Sequence, residues 1–230
     1  MGEHRSAGGD RLSRAAAHRL SLYLRTLTGW PADGVKVSSG RIAQACGVTD
    51  AQVRRDLAVL GHLGQRGIGY EAAELASAIR TALGIHRQWR AVLVGAGNLA
   101  RALLRYHGFR DQGFAIVGLF DSDPHKIGQH VEGLTVEPVD TLPVRVPELQ
   151  AELAVLAVPA EAAQPVADIL QTAGIRGILN FAPMLLRLSP RVKWVNVDLA
   201  IQLEQLAFLV QLSENDEGGV VSNGSDDSSL

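Results

Sequence analysis

Residues 91–104, AVLVGAGNLARALL, carry an apolar run straight into a glycine-rich turn and out along a helix. Gly95-Ala96-Gly97-Asn98-Leu99-Ala100 has the G-x-G-x-x-(G/A) spacing, and each small residue in that spacing has a physical reason. Gly95 permits the tight turn, Gly97 lets backbone N–H groups approach a pyrophosphate, and Ala100 allows close packing of helix on strand. A bare match is a weak signal. It gains weight from the strand RAVLVG before it, the helix after it, and a second strand, FAIVGLFD, that ends in Asp121. Asp121 lies 26 residues beyond Gly95, and the intervening loop YHGFRDQG accounts for the excess over the usual spacing of about 20. A carboxylate there accepts hydrogen bonds from ribose hydroxyls and repels a 2′-phosphate, so NAD is favoured over NADP.

Further apolar runs follow at LTVEP (134–138), AELAVLAVP (151–159), IRGILNFAP (175–183) and KWVNVD (193–198), with the helix EAAQPVADILQTAG among them. They are continuous rather than alternating, as expected of a parallel sheet covered on both faces. The prediction is an α/β, doubly wound nucleotide fold. Ligands of such sheets sit at the carboxyl ends of the strands. That places Val158, Pro159, Asn180, Phe181, Pro183 and Asp198, in the segments AVPA, NFAP and NVD, along the expected crevice.

The first third of the chain has another character. Residues 1–85 carry 11 Lys and Arg against 7 Asp and Glu, whereas residues 86–230 carry 11 against 17, so two differently charged regions imply two tasks. Residues 13–30 show helical periodicity through Ala16, Leu20, Leu24 and Leu27. In VKVSSGRIAQACGVTDAQVRRDLAVLG, Ser38 or Ser39 caps a short helix with Ile42 and Ala45 or Cys46 inward, Gly47 stops it, and Thr49 caps a second helix from about Asp50. Val53, Leu57 and Leu60 then face a core, leaving Gln52, Arg54 and Arg55 outward near the start of the second helix. This is the layout in which a second helix enters a major groove, where Arg suits guanine and Gln suits adenine. After it, HLGQRGIGY (62–70) sets glycines around Arg66, which predicts a narrow loop whose tip, Gln65-Arg66-Gly67, reaches a minor groove or a phosphate. Across residues 11–70 there are 9 basic against 3 acidic residues, consistent with a duplex DNA partner.

No apolar run approaches the ~18 residues of a membrane span, and the start MGEHRSAGGD is polar, so the expected location is the cytoplasm, with no membrane partner. The single cysteine, Cys46, excludes an internal disulfide framework and a thiolate metal cluster. LAIQLEQLAFLVQL is apolar around most of its circumference and needs burial on several sides, which a partner subunit would supply. The following stretch is acidic and rich in Ser and Gly, and is expected to be a disordered tail. The expected organisation is therefore 1–85 DNA-binding, 86–198 nucleotide-binding, 199–213 a dimerisation helix and 214–230 a tail.

A dehydrogenase would need a substrate-binding region and a placed acid or base, and the chain has room for neither once these regions are assigned. His107, His125 and His130 fall in loops, and Tyr106 is the one candidate proton donor. A nucleotide sensor is thus preferred over two alternatives: a small NAD-dependent oxidoreductase with a helical oligomerisation domain, and a regulator binding CoA or another adenine nucleotide without redox discrimination.

The chain resembles the Rex family of redox-sensing transcriptional repressors through nearly all of residues 13–212. The motifs that carry the resemblance are VSSGRIAQACGVTDAQVRRDLAVLGHLGQRGIGY, VGAGNLARAL, FDSDPHKIG, VPAEAAQPVADIL, AGIRGILNFAP and NVDLAIQLEQL. It implies a winged helix-turn-helix domain joined to a Rossmann-like sheet with a C-terminal helix swapped between the subunits of a homodimer. Function is implied too: repression from a palindromic operator, with NADH binding causing release and NADH/NAD⁺ acting as a regulatory ligand. Ser39, Gln52, Arg54, Arg55, Gln65, Arg66 and Gly67 fall in the implied DNA-binding motif. Arg25, Tyr106 and Asp198 are implied to form a polar relay near the nicotinamide. Ala100 departs from the family's usual glycine.

Overall fold

The computed structural model describes residues 12–30, 36–61, 63–64 and 68–218. The chain divides into two compact units, Met1–Gln88 and Trp89–Leu230.

The first unit is helical. Helix α1 (Arg14–Thr28) is followed by a two-residue strand β1 (Lys36–Val37), α2 (Ser39–Cys46), α3 (Asp50–Ala58), strand β2 (Tyr70–Glu71) and α4 (Ala72–Ala82). Each helix begins on a side chain that satisfies one of its free N–H groups: Ser13, Ser38, Thr49 and Glu71 accept from the backbone of Ala16, Arg41, Gln52 and Glu74. Ser38 is therefore the cap of α2, and Ser39 is its first residue. Gly47, at φ 66°, takes the left-handed conformation that ends α2. The core is built by Leu20, Tyr23, Leu24, Ile42, Val53, Leu57, Leu75 and Ile79. Beside Ile42 it is Ala43 that is buried, whereas Ala45 is exposed. Cys46 packs half-buried against this core with Sγ 3.2 Å from Thr26 Oγ1.

The second unit is a seven-stranded sheet. Its strands are β3 (Trp89–Val94), β4 (Phe114–Asp121), β5 (His130–Val131), β6 (Leu134–Pro138), β7 (Leu153–Leu156), β8 (Gly177–Asn180) and β9 (Lys193–Asn196), in the spatial order β5-β6-β4-β3-β7-β8-β9. All neighbours run parallel except β5, which folds back antiparallel on β6. The expected doubly wound sheet therefore carries one antiparallel edge strand. Helices α5 (Asn98–Arg105), α6 (Gly108–Asp111), α7 (Leu142–Glu148), α8 (Ala160–Thr172) and α9 (Leu199–Gly218) complete the unit. From β3 the chain goes to β4 on one side and later to β7 on the other, so the topological switch point lies at the carboxyl end of β3.

One face of the sheet is sealed by α7 and α8 over Val92, Val94, Phe120, Ala154, Leu156 and Ile178. On the other face the cluster under α5 joins β3, β4, β6 and the adjoining part of β7, through Leu93, Ala100, Leu119, Val136 and Val155. Over β7, β8 and β9 that face stays open in the single chain, as an apolar groove of about 330 Å³ lined by Leu153, Val155, Leu179, Val195 and the rings of Phe109 and Phe114. In the single chain the second face is thus covered only in part. Helix α9 is exposed along its described side chains, Leu203 at 67% and Leu209 at 61%, and it runs on to Gly218. Residues 214–218 of the expected tail are thus helical. The remainder of that tail lies outside the described residues.

Candidate functional site

The glycine turn sits at the switch point. Gly95 has φ 100°, its N–H donates to the Phe120 carbonyl at 2.7 Å, and a Cβ there would run into the Ala157 carbonyl oxygen. Two constraints, left-handed backbone and contact with the neighbouring strand end, thus demand glycine. Gly97 differs, for its φ is −84° and a Cβ would meet nothing within 4 Å. It starts α5 with no side chain capping the helix, and α8, which follows β7 next door, is also uncapped at Pro159. Both helices therefore present free N–H groups and a positive dipole end at the carboxyl edge of the sheet, the arrangement that seats a phosphate. Ala96 is buried, Asn98 and Leu99 are exposed at the first turn, and Ala100 is fully buried with its methyl among Leu93, Leu119 and Val155. Ala100, expected from the resemblance to be glycine, is thus packed in the core between α5 and the sheet.

Asp121 ends β4 and is 7% exposed. Its Oδ2 accepts from Ala96 N–H at 2.7 Å and from Lys126 Nζ at 3.1 Å, and its Oδ1 accepts from Asp123 N–H at 2.9 Å. Burial alone would raise this carboxyl. The Ala96 and Asp123 N–H groups and the Lys126 ammonium outweigh it and hold the carboxyl below its ordinary value. Asp121 is thus engaged first in fastening the glycine turn to β4. Lys126 and the more open Asp123, 3.8 Å apart, complete the cluster, and sequence reasoning passed over both. Their signal was the D-x-D-x-x-K spacing within FDSDPHKIG.

At the other end of the edge, β8 and β9 lie three and four strand positions from β4, the latter ~19 Å away at ~4.8 Å per strand. Asn180 is fully buried. Its Nδ2 lies 2.8 Å from Asn196 Oδ1, 2.9 Å from the Met184 carbonyl and 3.2 Å from that of Ala182, while Oδ1 accepts from Ala182 N–H at 3.0 Å. It holds the NFAP turn in shape, and its polar atoms are consumed in doing so. Val158 and Phe181 are half-buried and Pro159 and Pro183 exposed along this edge, giving it an apolar lining. Asp198 Oδ1 accepts from Ala200 N–H at 3.0 Å and Ile201 N–H at 3.3 Å, so its carboxylate starts α9. The Tyr106 ring is exposed, edge-on to Phe109 at 5.2 Å between ring centres, and closes over Gly108. Within one chain, Tyr106 and Asp198 are not brought together, and Arg25 stands exposed on α1 in the other unit.

In the first unit, Arg54 and Arg55 are exposed on α3, and Arg54 pairs with Asp50 at 2.7 Å. Gln52 departs from expectation. It is half-buried, and its Nε2 donates inward to Asp56 Oδ1 at 2.9 Å rather than standing free beside the arginines. Asp56, only 4% exposed, also accepts two bonds of 2.7 Å from the Arg19 guanidinium and one of 2.9 Å from the Tyr23 hydroxyl. Burial opposes its charge, but Arg19, Tyr23 and Gln52 together hold the carboxyl below its usual range. This network was not foreseen, because Asp56 in QVRRDL has the look of a solvated helix face. Gly64 and Gly69, at φ 82° and 91°, bring the arms of the following loop so close that a Cβ on Gly64 would lie 2.6 Å from the Gly69 carbonyl. The tip of that loop, Gln65, Arg66 and Gly67, lies outside the described residues. No group of three or more metal-ligating side chains occurs among the described residues, and no described helix is long and apolar enough to cross a membrane.

A helix-turn-helix unit with exposed arginines on its second helix, in one chain with a parallel sheet whose switch point carries an uncapped glycine turn, defines a ligand-responsive transcriptional regulator. Family models agree for both units: a putative DNA-binding protein N-terminus matches residues 11–58, and a CoA binding domain matches residues 86–184. The redox-sensing transcriptional repressor Rex of Desulfitobacterium hafniense is 46% identical over 201 residues, covering 87% of this chain and 96% of that protein. The one from Rhodopirellula baltica is 47% identical over 207 residues, covering 88% and 87%. Among solved structures, RSP, a Rex-family repressor, in complex with β-NAD⁺ and operator DNA is similar at TM-score 0.82 and 31% identity over 92% of this chain and 98% of its own. RSP in complex with β-NADH gives 0.81 and 30% over 91% and 99%. The chain belongs to the Rex family of redox-sensing transcriptional repressors.

Proposed function

We propose that this protein is an NADH-responsive repressor. Its helical unit grips duplex operator DNA through α3 and the loop before β2, its sheet unit holds NAD(H) across the carboxyl edge, and α9 joins two copies in the cytoplasm. The observation that carries the reading is the pairing, in one chain, of the uncapped Gly97 turn with the exposed Arg54-Arg55 helix face. The RSP complexes with operator DNA and with NADH support it. The residues fit the ligand: free N–H groups and open space at Gly97 for the pyrophosphate, the Asp121–Asp123–Lys126 cluster at the adenosine end, and an apolar lining at Val158 and Phe181 for the nicotinamide. NAD⁺ brings a positive ring to that lining and NADH a neutral one, so burial favours the reduced form. Preference becomes regulation only through unequal affinity for two states of the dimer: a swing from mostly DNA-bound to mostly free needs ~5 kcal/mol of differential binding. By reciprocity, operator DNA weakens NADH by the same factor.

A second copy is the natural cover for α9 and for the open groove over β7–β9, whose apolar surfaces a lone chain leaves in water. Fluorescence anisotropy of a labelled operator duplex, titrated in saturating NAD⁺ and then in NADH, tests the sensing. Release by NADH alone is the expected result, and identical affinities in the two would overturn it. The match to a CoA binding domain favours one further reading, an adenine-nucleotide regulator indifferent to redox state. Displacement of bound NADH by equimolar CoA would support that one.

A further inference from the structure

The inward turn of Gln52 has a consequence for how α3 meets DNA, and it rests on the DNA-binding reading above. The side-chain amide is held by its donor end: Nε2 gives a hydrogen to the buried Asp56 carboxylate, which Arg19 and Tyr23 fix from α1. With the nitrogen so anchored, Oε1 is left facing the helix surface, where it accepts from Arg55 Nη1 at 3.4 Å. A chain of contacts therefore runs from α1 through Asp56 and Gln52 to an exposed guanidinium.

We propose that Gln52 is a positioning residue for Arg55, its amide oriented by the Arg19–Tyr23–Asp56 cluster, and that Arg55 rather than Gln52 reads the base. A long exposed arginine loses rotamer freedom when it docks, and an acceptor that already holds it near its bound pose removes part of that cost. Arg is suited to the task because its planar fork can keep one N–H on Gln52 while presenting others to guanine O6 and N7. Arg54 is tied instead to Asp50 in the first turn, with no such link to the buried cluster among the described residues.

The test uses the full-length protein. Wild type selects its preferred duplex from a randomised 30-base-pair pool, and affinities for that duplex and its single-base variants are then measured for Gln52→Met, Arg55→Ala and the double variant. Methionine keeps the stem length and leaves Asp56 its bonds to Arg19 and Tyr23, so the variant is expected to fold cooperatively, with its unfolding temperature lowered by the loss of one hydrogen bond to a carboxylate. Arg55→Ala is expected to lose roughly ten- to hundredfold on the selected site. Gln52→Met is expected to lose about three- to tenfold, with selectivity relaxing at the same base pair as in Arg55→Ala and no added loss in the double variant. Additive losses, or relaxation at a different base pair, would make Gln52 an independent reader and overturn the proposal. A wild-type protein that enriches no sequence would overturn the DNA-binding reading itself.

Discussion

Substituting alanine for Gly97 separates the ligand's requirement from the fold's. In the free protein the added methyl meets nothing within 4 Å, and φ of −84° suits alanine. Alanine is a poorer helix start than glycine, while the unfolded chain becomes less flexible by ~0.4–1 kcal/mol, so the two effects nearly cancel and stability should stay within ~1 kcal/mol. A pyrophosphate seated on the α5 N–H groups would need the space the methyl now fills. Loss of one charge-assisted hydrogen bond, worth ~1.5–3 kcal/mol, corresponds to roughly ten- to more than hundredfold weaker NADH. Calorimetric titration with NADH, thermal unfolding and operator anisotropy on one preparation would give the comparison. The expected variant folds normally, holds operator as wild type does, and ignores NADH at concentrations that release the parent. A stable Gly97→Ala protein with unchanged NADH affinity would refute the seating of phosphate at this turn.

Four further outcomes follow. Asp121→Ala leaves the Ala96 N–H buried without its acceptor, at a cost of ~1–3 kcal/mol seen in thermal unfolding, and frees Lys126, so the preference for NAD over NADP should narrow in parallel titrations. Asp56→Ala strips Arg19 and Tyr23 of their shared partner and should cost ~3 kcal/mol, the lower end for a buried ion pair because Arg19 keeps 24% of its side chain in solvent. Because the folded carboxyls of Asp56 and Asp121 lie below their unfolded values, their contribution is complete above pH ~4 and is lost as pH falls through the folded values. Acid unfolding of Asp56→Asn should accordingly be less steep than that of wild type. Leu203→Glu with Leu209→Glu on α9 should yield a monomer in sedimentation velocity, and a persistent dimer would place the subunit contact elsewhere.

The parallel strands, the glycine turn and the capped helix pair were legible because each is written in local chemistry: apolar runs, glycine at a left-handed position, Ser or Thr before a helix. What escaped depends on partners distant in sequence. Asp56 and Arg19 are 37 residues apart, and nothing near either announces the other. Gln52 looked free because its acceptor lies one turn along a helix whose interior could not be known to hold a carboxylate. Helix α7 was hidden by Pro143 and Pro147, and β5 by having only two residues. Asn180 lay at the expected edge, but only the fold shows that its donors and acceptors are spent on its own turn.

The contrast between capped and uncapped helix starts bears on how long the molecule lasts. The first unit caps the starts of all four of its described helices with its own side chains, whereas the helices after β3 and β7 start uncapped, at the place proposed for the dinucleotide. Occupancy of that place by dinucleotide at a hundred times its dissociation constant would add ~2.7 kcal/mol to the resistance of the sheet unit against unfolding. Starvation for the ligand would then shorten the lifetime of the regulator as well as change its output, and the cell's cofactor pool would set both how much of it survives and what the survivors do.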